Sequence, residues 1–244
     1  MVNVKLTVLG NNGPYPGPGG ACSGYLFNIG DLNIVLDFGN GTLSNLQKLI
    51  QIADIDFIIC SHLHADHISD LFVLHYALQM KNQQLKLYAP AEPALELKKL
   101  ELSSYQITKI NESLEIITNG LTISFKELRH PFMDFGIKIS DGETTFLYTG
   151  DTSYTSNLLE FAKGVDIVLC DGAFLEDVVS DKHLSVKEAC EVATEAGVKT
   201  LILTHLEPFE KPETYLEKGK RHFKGNLLIT EIGKTFDLKA LTKV

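Results

Sequence analysis

The sequence lacks any broad excess of positive charge. Its 22 lysines and arginines are outnumbered by 31 aspartates and glutamates, so the formal net charge is −9. A protein dedicated to nucleic acids usually presents a basic face that neutralises phosphates. The composition therefore argues against that class, and it leaves open only a local positive groove.

Long apolar runs and paired cysteines are missing as well. No run approaches the ~20 apolar residues that cross a bilayer, and the first strand-like segment lacks the apolar core of a secretory signal. The four cysteines stand far apart without a Cys-x-x-Cys pair, at positions 22, 60, 170 and 190. This spacing predicts free thiols in a reducing compartment, and hence a cytoplasmic protein that does not use a membrane.

The chain also has no linker, low-complexity segment or exact repeat. Its 244 residues can form one large domain or two closely packed halves. We predict a single domain over residues 1–244, with two similar halves that meet near residues 110–120. In each half a group of strands precedes alternating strands and helices, which predicts an α/β fold in two layers rather than one doubly wound sheet.

Local signals mark some element ends and one irregular segment. Ser185 and Glu188 form a capping box that begins a helix, and Gly197 ends it. Residues 10–20, "GNNGPYPGPGG", are too rich in Gly and Pro for a regular element. This loop either lies free on the surface or lines a substrate mouth, with Tyr15 or Tyr154 as a stacking ring.

Four predicted strands are followed by histidine or aspartate. They end in "FIICSHLHADH", "TISFKELRH", "TTFLYTGD" and "TLILTH". One such ending means little, but strand ends in sheet-based folds share an edge, so four of them predict a polar cluster. In the first segment an extended stretch presents His62 and His64, while Asp66 and His67 begin a helix and face a second point. The spacing predicts a site for two metal ions.

"SHLHADH" resembles the HxHxDH signature of the metallo-β-lactamase superfamily, and the later His, Asp and His residues follow in that family's order. The resemblance covers nearly the whole chain and implies a four-layered αβ/βα sandwich. It implies that His62, His64 and His130 hold one metal, that Asp66, His67 and His205 hold another, and that Asp151 bridges them. Two divalent ions are expected, Zn²⁺ before Mn²⁺ or Fe²⁺, because all ligands are nitrogen or oxygen.

Within that superfamily the chain resembles ribonuclease Z and related phosphodiesterases. The similarity lies in "YTGDTSY", "DIVLCDGAF" and "KHLSVKEACEVATEAGVKTLILTH". It implies that Asp66 orients the attacking water between the metals and that His183 protonates the leaving group. Asp171, in place of the family's Glu, would orient His183. The resemblance also implies a homodimer.

Two departures concern the substrate. The interval from His130 to Asp151 has room only for a hairpin, where typical ribonuclease Z carries a long tRNA-gripping arm, and the net charge is negative. The short hairpin and the negative net charge both argue against tRNA as the substrate, and they favour a small phosphodiester or a short RNA end. A carboxylic ester, thioester or lactone hydrolase on the same metals is the alternative, but such leaving groups have less need of an acid like His183.

Overall fold

Two β-sheets of seven strands each form the centre of the computed structural model, which describes residues 4–243. The strands are β1 Val4–Gly10, β2 Gly24–Ile29, β3 Leu32–Phe38, β4 Phe57–Ile59, β5 Leu85–Pro90, β6 Tyr105–Ile110, β7 Glu115–Thr118, β8 Leu121–Leu128, β9 Asp134–Ser140, β10 Thr145–Tyr148, β11 Ile167–Asp171, β12 Thr200–Thr204, β13 Asn226–Ile229 and β14 Thr235–Asp237. The α-helices are α1 Thr42–Leu46, α2 Ala65–Met80, α3 Ala94–Lys99, α4 Ser156–Ala162, α5 Val186–Ala196, α6 Pro212–Gly219 and α7 Leu238–Leu241.

The two sheets have similar strand plans. The first has the order β14-β1-β2-β3-β4-β5-β6 and the second the order β13-β12-β11-β10-β9-β8-β7. In each sheet, antiparallel pairs on one side give way to parallel pairs, at β3–β4 in the first and at β10–β11 in the second. Parallel strands require crossover connections, which here are the helices and short turns between them.

Apolar side chains from both sheets meet face to face. Phe27 and Phe146, for example, approach across the interface with ring centroids 5.7 Å apart. Helices α1 to α3 lie on the outer face of the first sheet, and α4 to α6 cover the outer face of the second. The α/β architecture is therefore the four-layered αβ/βα sandwich that the sequence predicted.

Local signals confirm their predicted roles. Ser185 Oγ accepts a hydrogen bond from the Glu188 N–H at 3.2 Å, and Glu188 Oε2 accepts from the Ser185 N–H at 2.8 Å. Gly197 ends α5 at φ 73°, in the left-handed region that glycine enters without a Cβ penalty. This helix matters for function because its start fixes the segment that carries His183.

Two strands were not predicted. In β6 the polar side chains of Gln106, Thr108 and Lys109 blur the apolar pattern, since this strand is at the edge of its sheet. The three residues of β14 pair with β1, so the chain returns to the first sheet after completing the second. The change of sheet between Ile110 and Glu115 therefore does not divide the chain into two purely sequential halves.

None of the helices within residues 4–243 combines the length and the apolar character that a bilayer crossing requires.

Candidate metal centre

The seven predicted ligands lie together, beyond the ends of β4, β8, β10 and β12. They form two overlapping groups, and within each group the ligand atoms lie within 4.8 Å of one another. The first group is His62, His64, His130 and Asp151, and the second is Asp66, His67, Asp151 and His205. Asp151 belongs to both, which is the position expected of a bridging carboxylate.

Hydrogen bonds behind the site fix which ring nitrogens of the first group carry a proton. His130 Nδ1 lies 2.8 Å from the carbonyl oxygen of Lys182, which can only accept, so this nitrogen donates. His62 Nδ1 lies 3.1 Å from Ser61 Oγ, whose own hydrogen is donated to Asp37 Oδ2. Therefore His62 Nδ1 also donates, and the Nε2 atoms of both rings carry lone pairs.

Those two lone pairs converge on His64. His62 Nε2 and His130 Nε2 each lie 3.0 Å from His64 Nδ1. A neutral His64 can satisfy at most one of them with its single Nδ1 hydrogen. Three imidazole nitrogens crowded together in this way suit a cation that accepts all three lone pairs.

The second group has the same character. His67 Nδ1 donates to the carboxylate of Asp37 at 2.7 Å, so Nε2 is the nitrogen left to bind a metal ion. That buried Nε2 has no hydrogen-bond partner among residues 4–243, and it lies 3.3 Å from Asp151 Oδ2. His205 Nε2 lies 3.2 Å from the same oxygen and 3.4 Å from Asp66 Oδ2. The donors present thus fit a second divalent cation.

The pKa values of the first group favour neutral ligands. Burial, followed by the charge of His67, holds the pKa of His62 well below its usual range. Burial and the neighbouring His130 lower the pKa of His64 to about 4. Burial also lowers the pKa of His130. At neutral pH these rings need not lose a proton before they bind a metal ion.

The second group differs, since carboxylates surround it. Burial alone would lower the pKa of His205, but Asp151 and Asp66 outweigh it and raise the pKa to about 9. The pKa of His67 also lies well above its ordinary value, because Asp151 and Asp37 outweigh its burial. In turn His205 and His67 hold the pKa of Asp151 well below its usual range, against the effect of burial. The carboxylates of this group therefore favour positive charge on its histidines, at the position where a bound cation would supply it.

His183 and Asp171 lie beside the second group and form a pair. His183 Nδ1 donates to Asp171 Oδ2 at 2.9 Å, and the side chain of His183 is 15% exposed. Asp171 is fully buried and accepts two further hydrogen bonds, from the N–H groups of Thr152 and Ala173, each at 3.0 Å. Both of its oxygens are fixed, so it holds the His183 ring in one orientation, in which Nε2 is the nitrogen not bonded to Asp171.

Sequence reasoning missed Asp37, which lies behind the second group. Besides the bond from His67, its Oδ2 accepts from Ser61 Oγ at 2.8 Å and from the Tyr148 hydroxyl at 2.6 Å. Its Oδ1 accepts from the Ser61 N–H at 2.7 Å. A carboxylate that accepts a hydrogen bond from the ring nitrogen facing away from the metal fixes the tautomer and the orientation of a histidine ligand. The signal was present, because "IVLDFG" is another strand that ends in an aspartate.

Asp134 was missed as well. It is fully buried, and its Oδ1 lies 3.3 Å from His62 Nδ1. Burial and the nearby Asp151 raise its pKa well above the ordinary value. At the first residue of β9 it looks like an ordinary strand boundary, so no sequence signal distinguishes it.

A cavity of about 710 Å³ opens over the metal ligands. Its walls include Pro14, Tyr15 and Pro208 from two neighbouring loops, and Pro131 and Phe174 from others. Loop 10–20 therefore lines the mouth of this cavity, which is one of the two roles predicted for it. Tyr154 does not: it lines a separate depression with Glu191 and His222.

Comparison with known proteins agrees with this geometry. The model of the beta-lactamase superfamily domain matches residues 32–206. The chain is 31% identical to the probable metallo-hydrolase YhfI of Bacillus subtilis, over 94% of this chain and 98% of YhfI. The crystal structure of YhfI, a metallo-beta-lactamase fold protein, superposes with a TM-score of 0.92 at 30% identity, over 97% of this chain and 99% of that one.

More distant relatives extend the comparison. Ribonuclease Z of Saccharolobus solfataricus is 25% identical over 92% of this chain and 96% of its own length. The crystal structure of a diphosphatase from the PhnP family superposes with a TM-score of 0.77 at 18% identity, over 97% of this chain and 98% of that one, which shows a shared fold. The chain belongs to the beta-lactamase superfamily and is a metallo-hydrolase of the metallo-β-lactamase fold.

Proposed function

We propose that the protein is a metal-dependent phosphodiesterase that acts on a small phosphodiester. The observation that carries this proposal is the His183–Asp171 pair beside the candidate metal centre. Hydrolysis of a phosphodiester with an alkoxide leaving group needs a proton donor at the departing oxygen. His183 is a histidine at the edge of the cavity that lies outside the two ligand groups and can carry that proton.

Two divalent cations held by the two ligand groups would polarise a phosphoryl oxygen, lower the pKa of water and neutralise developing charge. Zn²⁺ is our first expectation, and Mn²⁺ and Fe²⁺ suit the same N/O donors. Asp66 would orient the attacking water, since its Oδ2 lies 3.4 Å from His205 Nε2 and 3.6 Å from His67 Nε2. His183 would donate a proton to the departing oxygen from Nε2 while its Nδ1 stays bonded to Asp171.

The cavity supports a small substrate. Its volume of about 710 Å³ is within the range of pockets for single small molecules. Prolines and two aromatic rings form part of its walls, beside Lys182 and Glu207. The organic part of the substrate would contact these apolar surfaces while the phosphoryl group reaches the candidate ligands below. A short RNA end presents the same groups, whereas a folded RNA needs a larger contact surface.

The relatives support phosphorus chemistry in part. One is named a ribonuclease and one a diphosphatase. Because their identity to this chain is low, these two relatives support only hydrolysis at phosphorus, and the phosphodiester rests on the His183–Asp171 pair. The homodimer and the cytoplasmic location stay proposals, and analytical ultracentrifugation tests the first.

The test is a side-by-side assay of the metal-loaded protein on bis-p-nitrophenyl phosphate, a thioester and a lactone. We expect turnover of the diester with the largest kcat/KM. A clear preference for the thioester or lactone would replace the proposal with the alternative hydrolase. A matched sample treated with chelator controls for metal-independent hydrolysis.

A further inference from the structure

The segment Asn11–Gly13 in the Gly- and Pro-rich loop pairs with the chain just after His205. The Leu206 N–H donates to the Asn11 carbonyl at 2.8 Å, and the Gly13 N–H donates to the Leu206 carbonyl at 3.2 Å. The Asn12 side chain donates to that same carbonyl at 3.3 Å. Leu206 is thereby held on both of its backbone polar groups.

Asn11 anchors this segment to the sheet. Its side chain is buried and donates to the carbonyl of Thr230 at 2.8 Å and to Thr230 Oγ1 at 3.2 Å. Thr230 directly follows β13 and in turn donates to the carbonyl of Leu203 on β12 at 3.0 Å. The loop is thus tied, at its start, to the strand that delivers His205.

His205 needs such support because its backbone is in the left-handed region, at φ 57°. Residues with a Cβ adopt this conformation only when their surroundings enforce it. Leu206, the next residue, is the one that Asn11–Gly13 fixes. The hydrogen bonds between the loop and Leu206 therefore support the left-handed backbone of His205.

Gly13 also contacts the ring of His205 directly. A Cβ at position 13 would overlap with the Nε2, Cε1 and Cδ2 atoms of that imidazole. Only glycine leaves the ring where its Nε2 approaches Asp66 and Asp151. This requirement is steric, so it holds for any reaction at this centre.

We infer that Asn11–Gly13 is a positioning segment for His205, with Gly13 as the residue that sets the place of the ring. The segment would hold the second ligand group of Asp66, His67, Asp151 and His205 in register, in addition to lining the mouth. It acts through His205 and is not itself catalytic.

The experiment compares Gly13→Ala with Gly19→Ala in the metal-free full-length protein, titrated with Zn²⁺ by calorimetry. Gly19 is the matched control, because it lies in the same loop at φ 73° but a Cβ there meets nothing within 4 Å. We expect Gly13→Ala to keep one binding event unchanged and to weaken the other at least about tenfold, the size of effect seen when a ligand loses its support. Gly19→Ala should keep both events. Unchanged binding in Gly13→Ala, or equal losses in both variants, would overturn the inference.

A double variant covers the case in which Gly13→Ala folds poorly. Asn in place of His205 removes the ring and tolerates the left-handed backbone. We therefore expect Gly13→Ala to lower the urea midpoint of the metal-free parent clearly, but to change little in the His205→Asn background. The same drop in both backgrounds, or failure of both Gly13→Ala proteins to fold while His205→Asn folds, would mean that the steric contact with His205 is not the cause.

Discussion

At the scale of single residues, one carboxylate oxygen organises the centre. Oδ2 of Asp151 lies 3.2 Å from His205 Nε2, 3.3 Å from His67 Nε2 and 3.7 Å from His62 Nε2. A carboxylate between two dications offsets their mutual repulsion, which grows steeply at short range. Asp151 is therefore the residue that the two ligand groups share.

We predict that Asp151→Ala loses both metal ions or leaves them labile, whereas the parent protein carries about two per chain. Metal analysis after gel filtration measures this directly. Asp31→Ala is a suitable control, because Asp31 is an exposed turn residue between β2 and β3. A fully occupied Asp151→Ala protein would reject the bridging role.

The two ligand groups should respond differently to pH. In the metal-free protein the pKa of His205 is about 9, so its ring is protonated at pH 7, and the pKa of His67 also lies above its ordinary value. The pKa of His64, in the first group, is about 4, so its ring is neutral there. A cation must displace protons only from the second group.

We therefore predict that one metal ion binds at pH 7 without proton release and that the other releases protons. The affinity for the ion held by the second group should increase as the pH rises towards 9, and it should decrease as the pH is lowered. Calorimetry in two buffers of different ionisation enthalpy measures the released protons. Equal proton release for both ions would contradict this assignment.

Replacement of His183 tests acid catalysis separately from metal binding. His183→Ala should keep its metals, since the ring is outside the predicted ligand set. It should lose roughly 10²–10⁴-fold in rate on a diester with a poor alkoxide leaving group. With p-nitrophenolate the loss should shrink sharply, because that oxygen needs little protonation.

Asp171→Asn is the companion variant, and it should show a milder form of the same contrast. Rates are compared at equal metal content. Equal losses on both substrates would mean that His183 binds the phosphoryl group rather than donating a proton. Loss of metal in His183→Ala would place it among the ligands.

At the scale of elements, the site is a set of strand ends, which explains how much the sequence could predict. His62, His130 and His205 each follow a strand with a clear apolar pattern, so both their strands and their shared edge were predictable. Asp134 was not, because its role depends on His62, which lies far away in the sequence. The short strand β14 was also missed, since its three residues are stabilised by pairing with β1.

The start of α5 offers a test at this scale. Ser185 caps the helix two residues after His183, through the reciprocal bonds with Glu188. We predict that Ser185→Ala lowers the free energy of unfolding by about 1 kcal/mol. Urea denaturation measures it, with Glu195→Ala, an exposed change in the same helix, expected to stay within about 0.5 kcal/mol of the parent. A Ser185→Ala protein as stable as the control would show that the cap contributes nothing.

At the scale of the whole molecule, the candidate metal centre takes its ligands from segments that follow both sheets. The segment with His62, His64, Asp66 and His67 follows the first sheet, whereas His130, Asp151 and His205 follow strands of the second. The centre can form only when the sheets pack against each other. The whole chain has a net charge of −9, and only a hairpin, β9–β10, connects His130 to Asp151.

This surface leads to the prediction about large RNA. We expect kcat/KM for a precursor tRNA to be lower than for a small diester by on the order of 10²-fold or more, the scale of a few missing phosphate contacts. The salt dependence of tRNA cleavage tests whether missing phosphate contacts are the cause. A protein with a net charge of −9 should show a shallow dependence, because few counterions are released on binding. Efficient cleavage at the tRNA 3′ end with a steep salt dependence would mean that a local basic groove grips the RNA, and that the short hairpin does not limit the substrate.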